Sequence, residues 1–363
     1  MSLDEIKAWN KSGFQQDLIE WYRENKRDLP WRKKKDPYKI WVSEIMLQQT
    51  KVDTVIPYFE RFIEKFPTIE ALADAEEETV LKAWEGLGYY SRARNLHQAV
   101  KEVKESYGGK VPDQPSDVQK LRGVGPYTAG AILSIAYDKP APAVDGNVMR
   151  VLSRLLLIED DISKVTTRKK FEKIVTEIIS KEYPSDFNQA MMELGALICT
   201  PRKPSCLLCP VRTHCRAQHA GVQEQLPIKA KKAAPIVKKM QAVVLFDNQG
   251  KVLIEQRPSS GLLAKLWQFP NVEVISEGYE DIEKYLLNNG GLKVTVHPKQ
   301  LFQVKHIFSH LVWDIEIFTG EMMEIQDKSL FDSSTFQLVK KDSLHKYPFP
   351  VSHQKIMKGV INN

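Results

Sequence analysis

The sequence predicts a multidomain chain of two unlike parts, an all-helical first part over residues 1–220 and a mixed α+β part after residue 239. Three observations predict it. Apolar residues recur at helical spacing through the first part and fall in short β-rich runs through the second. Between them PIKAKKAAPIVKK, residues 227–239, holds five lysines and two prolines and little that can pack, so it reads as a linker. All four cysteines, Cys199, Cys206, Cys209 and Cys215, crowd into one loop at the end of the helical part.

Each element has a local reason. Phe14, Leu18, Trp21 and Tyr22 fall at i, i+4, i+7 and i+8, one face of a helix. The stretch DPYKIWVSEIMLQQ starts another, with Asp36 placed to cap it and Pro37 at its first helical position. Further helices are expected around 70–84, 92–106, 128–137, 147–157, 167–180 and 186–198, separated by short Gly/Pro breaks. In the second part QAVVLF, KVLIEQR, LKVTVHP and VWDIEIF read as strands parted by turns such as DNQG and NNGG, with one helix at 279–288.

Composition narrows the class. A length of 363 residues suits two or three domains. No apolar run approaches the roughly 18 residues of a membrane span. The N-terminal stretch MSLDEIKAWN lacks an apolar signal core, so a cytosolic protein with reduced thiols is expected, nucleoid-associated if bacterial. The net charge of +6 is uneven: residues 241–363 carry 13 Lys and Arg against 14 Asp and Glu, leaving 39 against 32 before them. A basic first part weakly suggests a polyanionic partner.

The cysteines read C-x6-C-x2-C-x5-C. Four thiolates in one short loop can converge on one metal centre. Structural zinc sites more often use two C-x2-4-C pairs, whereas one tight pair flanked by longer spans suits the larger cubane of a 4Fe–4S cluster. Zinc remains the alternative. His214, beside Cys215, is expected to be a solvated neighbour rather than a ligand.

VQKLRGVGPYTAG, Val118 to Gly130, runs a short helix into Gly123-Val124-Gly125, with Pro126 placed to open the next helix. Glycines permit the reversal, and the free amides of the following helix offer a site for a DNA phosphate. From the glycines alone the commoner role is a hairpin that packs two helices. Eighteen positions after Tyr127, VDGNVMRV sets Asp145 at the mouth of another helix. This helix-hairpin-helix, Gly/Pro-rich loop and aspartate resemble the base-excision DNA glycosylase superfamily, and the four-cysteine loop resembles its endonuclease III-like branch.

Bifunctional members of that branch carry a lysine where this chain has Tyr127, which cannot form a Schiff base. The resemblance therefore implies a monofunctional glycosylase. RDLPWR (Arg27 to Arg32), WVSEIMLQQT (Trp41 to Thr50) and GLGYYSRARNL (Gly86 to Leu96) are similar to the adenine DNA glycosylase family (MutY-type), which removes adenine mispaired with 8-oxoguanine. FSH, Phe308 to His310, stands where that family reads the oxidised base. GLLAKLWQFP (Gly261 to Pro270) resembles the entry to a Nudix fold, but no arginine follows Pro270 before residue 291. The metal-holding Nudix helix is thus absent, and the domain is expected to read rather than hydrolyse. The resemblance implies a helical cluster subdomain from 1–29 and 138–226, a six-helix subdomain at 30–137, and a Nudix-like domain at 240–363.

The chemistry asks for such residues. Adenine leaves easily only if a ring nitrogen is protonated, so Glu44 would be an acid kept neutral by apolar surroundings near Leu29, Trp31 and Leu47. Asp145, ionised near a helix N-terminus, would stabilise or covalently trap the oxocarbenium-like sugar, with Tyr127 and Asn147 positioning it or the incoming water. Taken alone, Glu44 would read as a surface helix glutamate. By resemblance Arg27 and Gln189 join the adenine pocket, and Gln49, Thr50, Leu87 and Tyr89 face the orphan base or fill the gap left by flipping. Tyr90 reads as core. Arg202 and Lys203, inside the cysteine loop, would meet the DNA backbone. Ser309 and His310 would bond the N7–H and O8 of 8-oxoguanine, or else simply alternate along a strand. The expected partner is duplex DNA bound by a monomer. Two rivals stay open: a thymine-mismatch glycosylase, which can share the tyrosine, and a non-catalytic DNA damage sensor or redox protein using the cluster.

Overall fold

Asn10 opens the first helix among the described residues, Lys11–Asn25, by accepting a hydrogen bond from the Gly13 amide. Its expected stripe of Phe14, Leu18 and Tyr22 is buried, packed in one core with Val148, Leu152, Phe171 and Phe187. A computed structural model describes residues 9–230, 233–275 and 280–361. Contacts divide it into two units, Met1–Asp74 with Asn95–Lys231, and Ala75–Arg94 with Lys232–Asn363.

In the first unit the helices Pro37–Leu47, Pro126–Tyr137, Gly146–Leu155 and Pro184–Leu197 build the site. Asp36 caps the first of these through the amides of Tyr38 and Lys39, as its position predicts. Gly123 turns the hairpin at φ 77°, and a Cβ there would stand 2.7 Å from the Asn95 Cβ, so only glycine fits. Gly195 matters for packing: a Cβ would lie 2.7 Å from that of Asn147, so its absence lets the two helices close up.

Two expectations change. The helix expected over 70–84 is broken into Ile69–Ala73 and Glu77–Ala83. An unexpected helix, Val52–Lys65, contains Pro57, which hides it from a sequence reading; Val55, Phe59 and Phe62 are its buried face. Among the described residues no helix is long and apolar enough to cross a membrane.

The second unit holds one mixed sheet, of eight strands among the described residues: β1 Ile236–Phe246, β2 Val252–Gln256, β3 Trp267–Gln268, β4 Asn271–Glu273, β5 Leu292–Val296, β6 Phe302–Ile307, β7 Leu311–Ile325 and β8 Phe336–Val339. The parallel β1–β7 pair is its spine, and β6 folds back on β7 as an antiparallel hairpin. All four expected strands are present. β1 starts earlier than expected, inside the supposed linker, because Ile236 and Val237 pair with Leu311 and Val312. The expected second-part helix is Glu280–Gly290; position 279 lies outside the described residues.

Segment 75–94 belongs with this sheet, not with the helices that flank it in sequence. Polar contacts explain why. Glu78 accepts from the Trp267 indole, Glu85 from the Phe349 amide at 2.7 Å, and Arg94 donates to the Ala264 carbonyl at 2.7 Å.

Candidate active site

Glu44 sits on the helix Pro37–Leu47 with its side chain turned inward, 4 % exposed. Tyr127, at the second position of the hairpin helix, donates its hydroxyl to Glu44 Oε2 at 2.5 Å. Burial lifts the Glu44 carboxyl to about 7; the Tyr127 hydrogen bond pulls it down, Asp145 pushes it up, and Arg32 draws it down. Burial first, then the charges of Glu44 and Asp145, drive the Tyr127 hydroxyl well above its ordinary range. It stays a donor.

Asp145 caps the helix Gly146–Leu155. Its Oδ1 accepts from the Val148 amide at 2.7 Å and its Oδ2 from Asn147 Nδ2 at 3.0 Å. Burial raises its carboxyl, and the Val148 amide, Asn147 and the Arg150 charge oppose that rise. With both oxygens addressed by donors, the geometry favours the ionised form.

These residues share one cavity of about 620 Å³ in the first unit. Leu29, Trp31 and Leu47 line it as expected, with Arg27, Gln189 and Asn147. So do Gln49, Thr50, Gly123 and Gly125. The sequence reading missed Glu193 on the same wall, four positions after Gln189 on one helix, a spacing that could have flagged it. Glu193 is 1 % exposed and takes Arg27 Nε at 2.8 Å, Arg27 Nη2 at 2.9 Å and Arg32 Nη2 at 2.8 Å. Despite burial, these bonds hold its carboxyl down at about 2. Arg27 therefore faces the cavity as half of an ion pair.

A chain of bonds runs from Asp145 to the cysteine loop. Asn147 Oδ1 accepts from Arg150 Nη2 at 2.8 Å, and Arg150 Nε donates to the Cys199 carbonyl at 2.8 Å. Arg154 donates to the Thr200 carbonyl at 2.7 Å and approaches Cys199 Sγ at 3.3 Å. All four cysteines line one small cavity with Arg154 and Arg212. Among the described residues, however, no three Cys, His, Asp or Glu side chains converge tightly enough for a single ion. His214 corrects its expectation: it is not solvated but packed edge-on against Trp9 and Phe14, bonding Asp17 at 2.9 Å. Arg202 and Lys203 are exposed, Lys203 at φ 48°.

The remaining expected residues lie in the second unit. Ser309 and His310 are exposed at the tip of the β6–β7 hairpin, closed by the Phe308 amide on the Leu311 carbonyl. Tyr89 is 47 % exposed and its hydroxyl meets Ser309 Oγ at 3.3 Å. Leu87 departs from expectation. It is 6 % exposed, turned inward where Gly86 reverses the chain at φ 101°, so in this conformation it offers no wedge. Tyr90 is core, as read. Gln49 and Tyr89 both hold left-handed backbone, φ 61° and 46°, which costs a non-glycine residue about 1 kcal/mol and so must be imposed by their surroundings.

Comparison with known proteins places this geometry. The family of HhH-GPD superfamily base excision DNA repair proteins matches residues 42–177, and the NUDIX domain family matches 241–359. Adenine DNA glycosylases of Rattus norvegicus and Homo sapiens are each 37% identical over 85% of this chain, which covers 70% and 66% of their lengths. That of Buchnera aphidicola subsp. Schizaphis graminum is 38% identical over 83% of this chain and 86% of its own length. Among solved structures, a thermostable thymine-DNA glycosylase is 28% identical at TM-score 0.52, over 58% of this chain and 97% of that one. Endonuclease III in a non-covalent DNA complex is 26% identical at TM-score 0.50, over 59% and 99%. On the identity and span of these relatives, the chain belongs to the adenine DNA glycosylases, the adenine-specific enzymes of base excision repair.

Proposed function

We propose that this glycosylase is monofunctional and removes adenine mispaired with 8-oxoguanine, and with guanine, from duplex DNA by flipping the adenine into the Glu44 cavity. One observation carries the reading: Glu44, its carboxyl raised to about 7, and Asp145, both of whose oxygens accept hydrogen bonds, face the same cavity, beside a tyrosine where a Schiff-base lysine would be needed for strand cleavage.

The steps follow from the residues. Trp31 and Leu29 offer an apolar wall to the flipped base. Tyr127 addresses Oε2 of Glu44, leaving Oε1 to carry the proton toward a ring nitrogen of adenine. Protonation turns adenine from a poor anionic leaving group into a neutral one. As the bond to C1′ breaks, Asp145 faces the growing positive charge on the sugar, held in place by Val148 and Asn147. Water then adds at C1′ and its proton returns to the Glu44 carboxylate, ionised by the first transfer, while strand scission has no amine to start it. Gly123 and Gly125 at the rim, with Arg202 and Lys203, are the proposed phosphate contacts. Gln49, Thr50, Tyr89, Phe308, Ser309 and His310 are proposed for the orphan base.

The cysteine cavity fits a 4Fe–4S cluster. It offers four thiol donors around one space, with Arg154 and Arg212 to balance thiolate charge. Cys199, Cys206, Cys209 and Cys215 would hold the cluster, which supplies metal–thiolate cross-links bracing the loop. A monomer on duplex DNA is the proposed working form.

Single-turnover base release tests the reading, across duplexes with A opposite 8-oxoguanine, G, C or T, and T opposite G. Adenine release opposite 8-oxoguanine is expected to be fastest. Release of thymine instead, or full activity in Asp145→Asn, sinks it. A brown protein with iron in a four-to-one ratio is expected; stoichiometric zinc overturns the cluster assignment.

A further inference from the structure

The hairpin tip that carries Ser309 is short, and neither Ser309 nor His310 is buried. An exposed two-residue tip reads a base only if something behind it fixes its position. Phe308 meets Trp313 edge-on at 5.0 Å and His306 at 4.4 Å, so three aromatic rings stand on one face of the hairpin. His306 and Trp313 are themselves cross-strand partners.

Beneath Trp313 lies a cation. The Arg257 guanidinium sits 5.2 Å from the centre of its ring. Two bonds orient Arg257: Nε donates to the Leu262 carbonyl at 2.9 Å and Nη1 to Gln268 Oε1 at 2.7 Å. The Gln268 amide then donates to Glu255 Oε2 at 2.9 Å, and the Tyr285 hydroxyl takes the other oxygen of Glu255. Gln268 thus accepts from Arg257 and donates to Glu255, which fixes its orientation. Glu255 and Gln268 are buried in the sheet. A rigid polar chain from the sheet interior therefore ends on the underside of the ring that supports Phe308.

We propose that Arg257 is a positioning residue for the Phe308–Ser309–His310 tip, acting through Trp313, and that it sets discrimination between 8-oxoguanine and guanine opposite adenine. The proposal rests on the reading of that tip as the contact to the opposite base. Arg257 touches no nucleotide. It holds the plane of Trp313, Trp313 holds Phe308, and Phe308 fixes where Ser309 Oγ stands beside the Tyr89 hydroxyl. A lysine would keep the charge and the stem. It has no planar fork, so it cannot lie under the indole while bonding both Leu262 and Gln268.

The test compares wild type, Arg257→Lys, Arg257→Met and Ser309→Ala as full-length, cluster-replete protein. Two quantities are read for A opposite 8-oxoguanine and A opposite G: single-turnover base release, and affinity for duplexes carrying an uncleavable 2′-fluorinated adenine nucleotide. Arg257→Met is expected to lower the 8-oxoguanine-to-guanine ratio of both quantities about tenfold, the order of one lost desolvated cation–π contact, with the rate opposite G unchanged. Arg257→Lys, the variant less prone to misfolding, is expected to fall between wild type and Arg257→Met. An unchanged ratio, or equal losses on both duplexes as destabilisation would produce, overturns the proposal. If Ser309→Ala alone lowers the ratio, the tip still reads the base and only the role of Arg257 fails. If wild type shows no preference for 8-oxoguanine, the reading of the tip and the role of Arg257 fall together.

Discussion

Two glutamates stand on the wall of one cavity and have been driven in opposite directions. Glu44, 4 % exposed, lies among apolar residues with a tyrosine hydroxyl as its hydrogen-bond donor, and its carboxyl rises to about 7. Glu193, 1 % exposed, takes two guanidinium groups and the Arg27 amide, and falls to about 2. Each shift is on the order of 3 kcal/mol. Burial is common to both, so burial does not decide the outcome. The number of cationic donors does: two arginines overcome the desolvation that one phenol cannot. One glutamate is thereby a proton source and the other a fixed anion that holds Arg27 and Arg32 in the wall.

The largest break in this comparison comes from removing the proton source or its counter-charge. Glu44→Gln and Asp145→Asn are each expected to slow single-turnover adenine release by about 10²-fold or more while the fold persists, as checked by circular dichroism. Retained activity in Glu44→Gln would mean the raised carboxyl is incidental.

Next in size is Glu193→Gln. It keeps the shape of the side chain but leaves two guanidinium groups facing a neutral amide, at an expected cost of about 3 kcal/mol in urea unfolding. The pH dependence has a definite sign for each residue. Stability from Glu193 is present above about 4.5 and lost as pH falls through about 2. Stability from neutral Glu44 is full below about 4.5 and lost as pH rises through about 7. Deleting Glu193 should therefore flatten the acid side of the stability profile and leave the neutral side intact.

A finer test acts on Glu44 alone. Its acid role predicts a base-release rate that declines as pH rises past about 7. The Tyr127 hydrogen bond lowers the Glu44 carboxyl, so Tyr127→Phe should move that decline to higher pH. A shift to lower pH would contradict the geometry. The smallest effect lies away from the cavity: Arg202→Ala with Lys203→Ala should leave single-turnover rate at saturation unchanged and reduce the salt slope of duplex affinity by about 1 per lost phosphate contact.

Much of the site was legible because its parts are local. Asp36 and Asp145 cap the helices that follow them, and Gly123 makes the reversal its neighbours require. The four cysteines line one cavity, as their spacing suggests. Glu44 was legible only through the surrounding motif, since a lone helix glutamate is ordinarily solvated. Pro57 hid a helix because the penalty of an internal proline is local, while the Phe59 and Phe62 packing that outweighs it is not. Leu87 departed from its expectation because its burial depends on where Gly86 sends the chain, which its exposed neighbour Tyr89 does not signal.

By itself, then, the sequence determined the two-part division, the caps, the hairpin and the cysteine loop, all set by propensities and spacings within a few residues. Tertiary structure decided the rest. It joined Glu193 to Arg27 across 166 positions, assigned segment 75–94 to the sheet, and placed Arg257 beneath Trp313. The physical reason is that a charge or ring takes its energy from what surrounds it in space. For these residues that surrounding is supplied by chain far away in sequence.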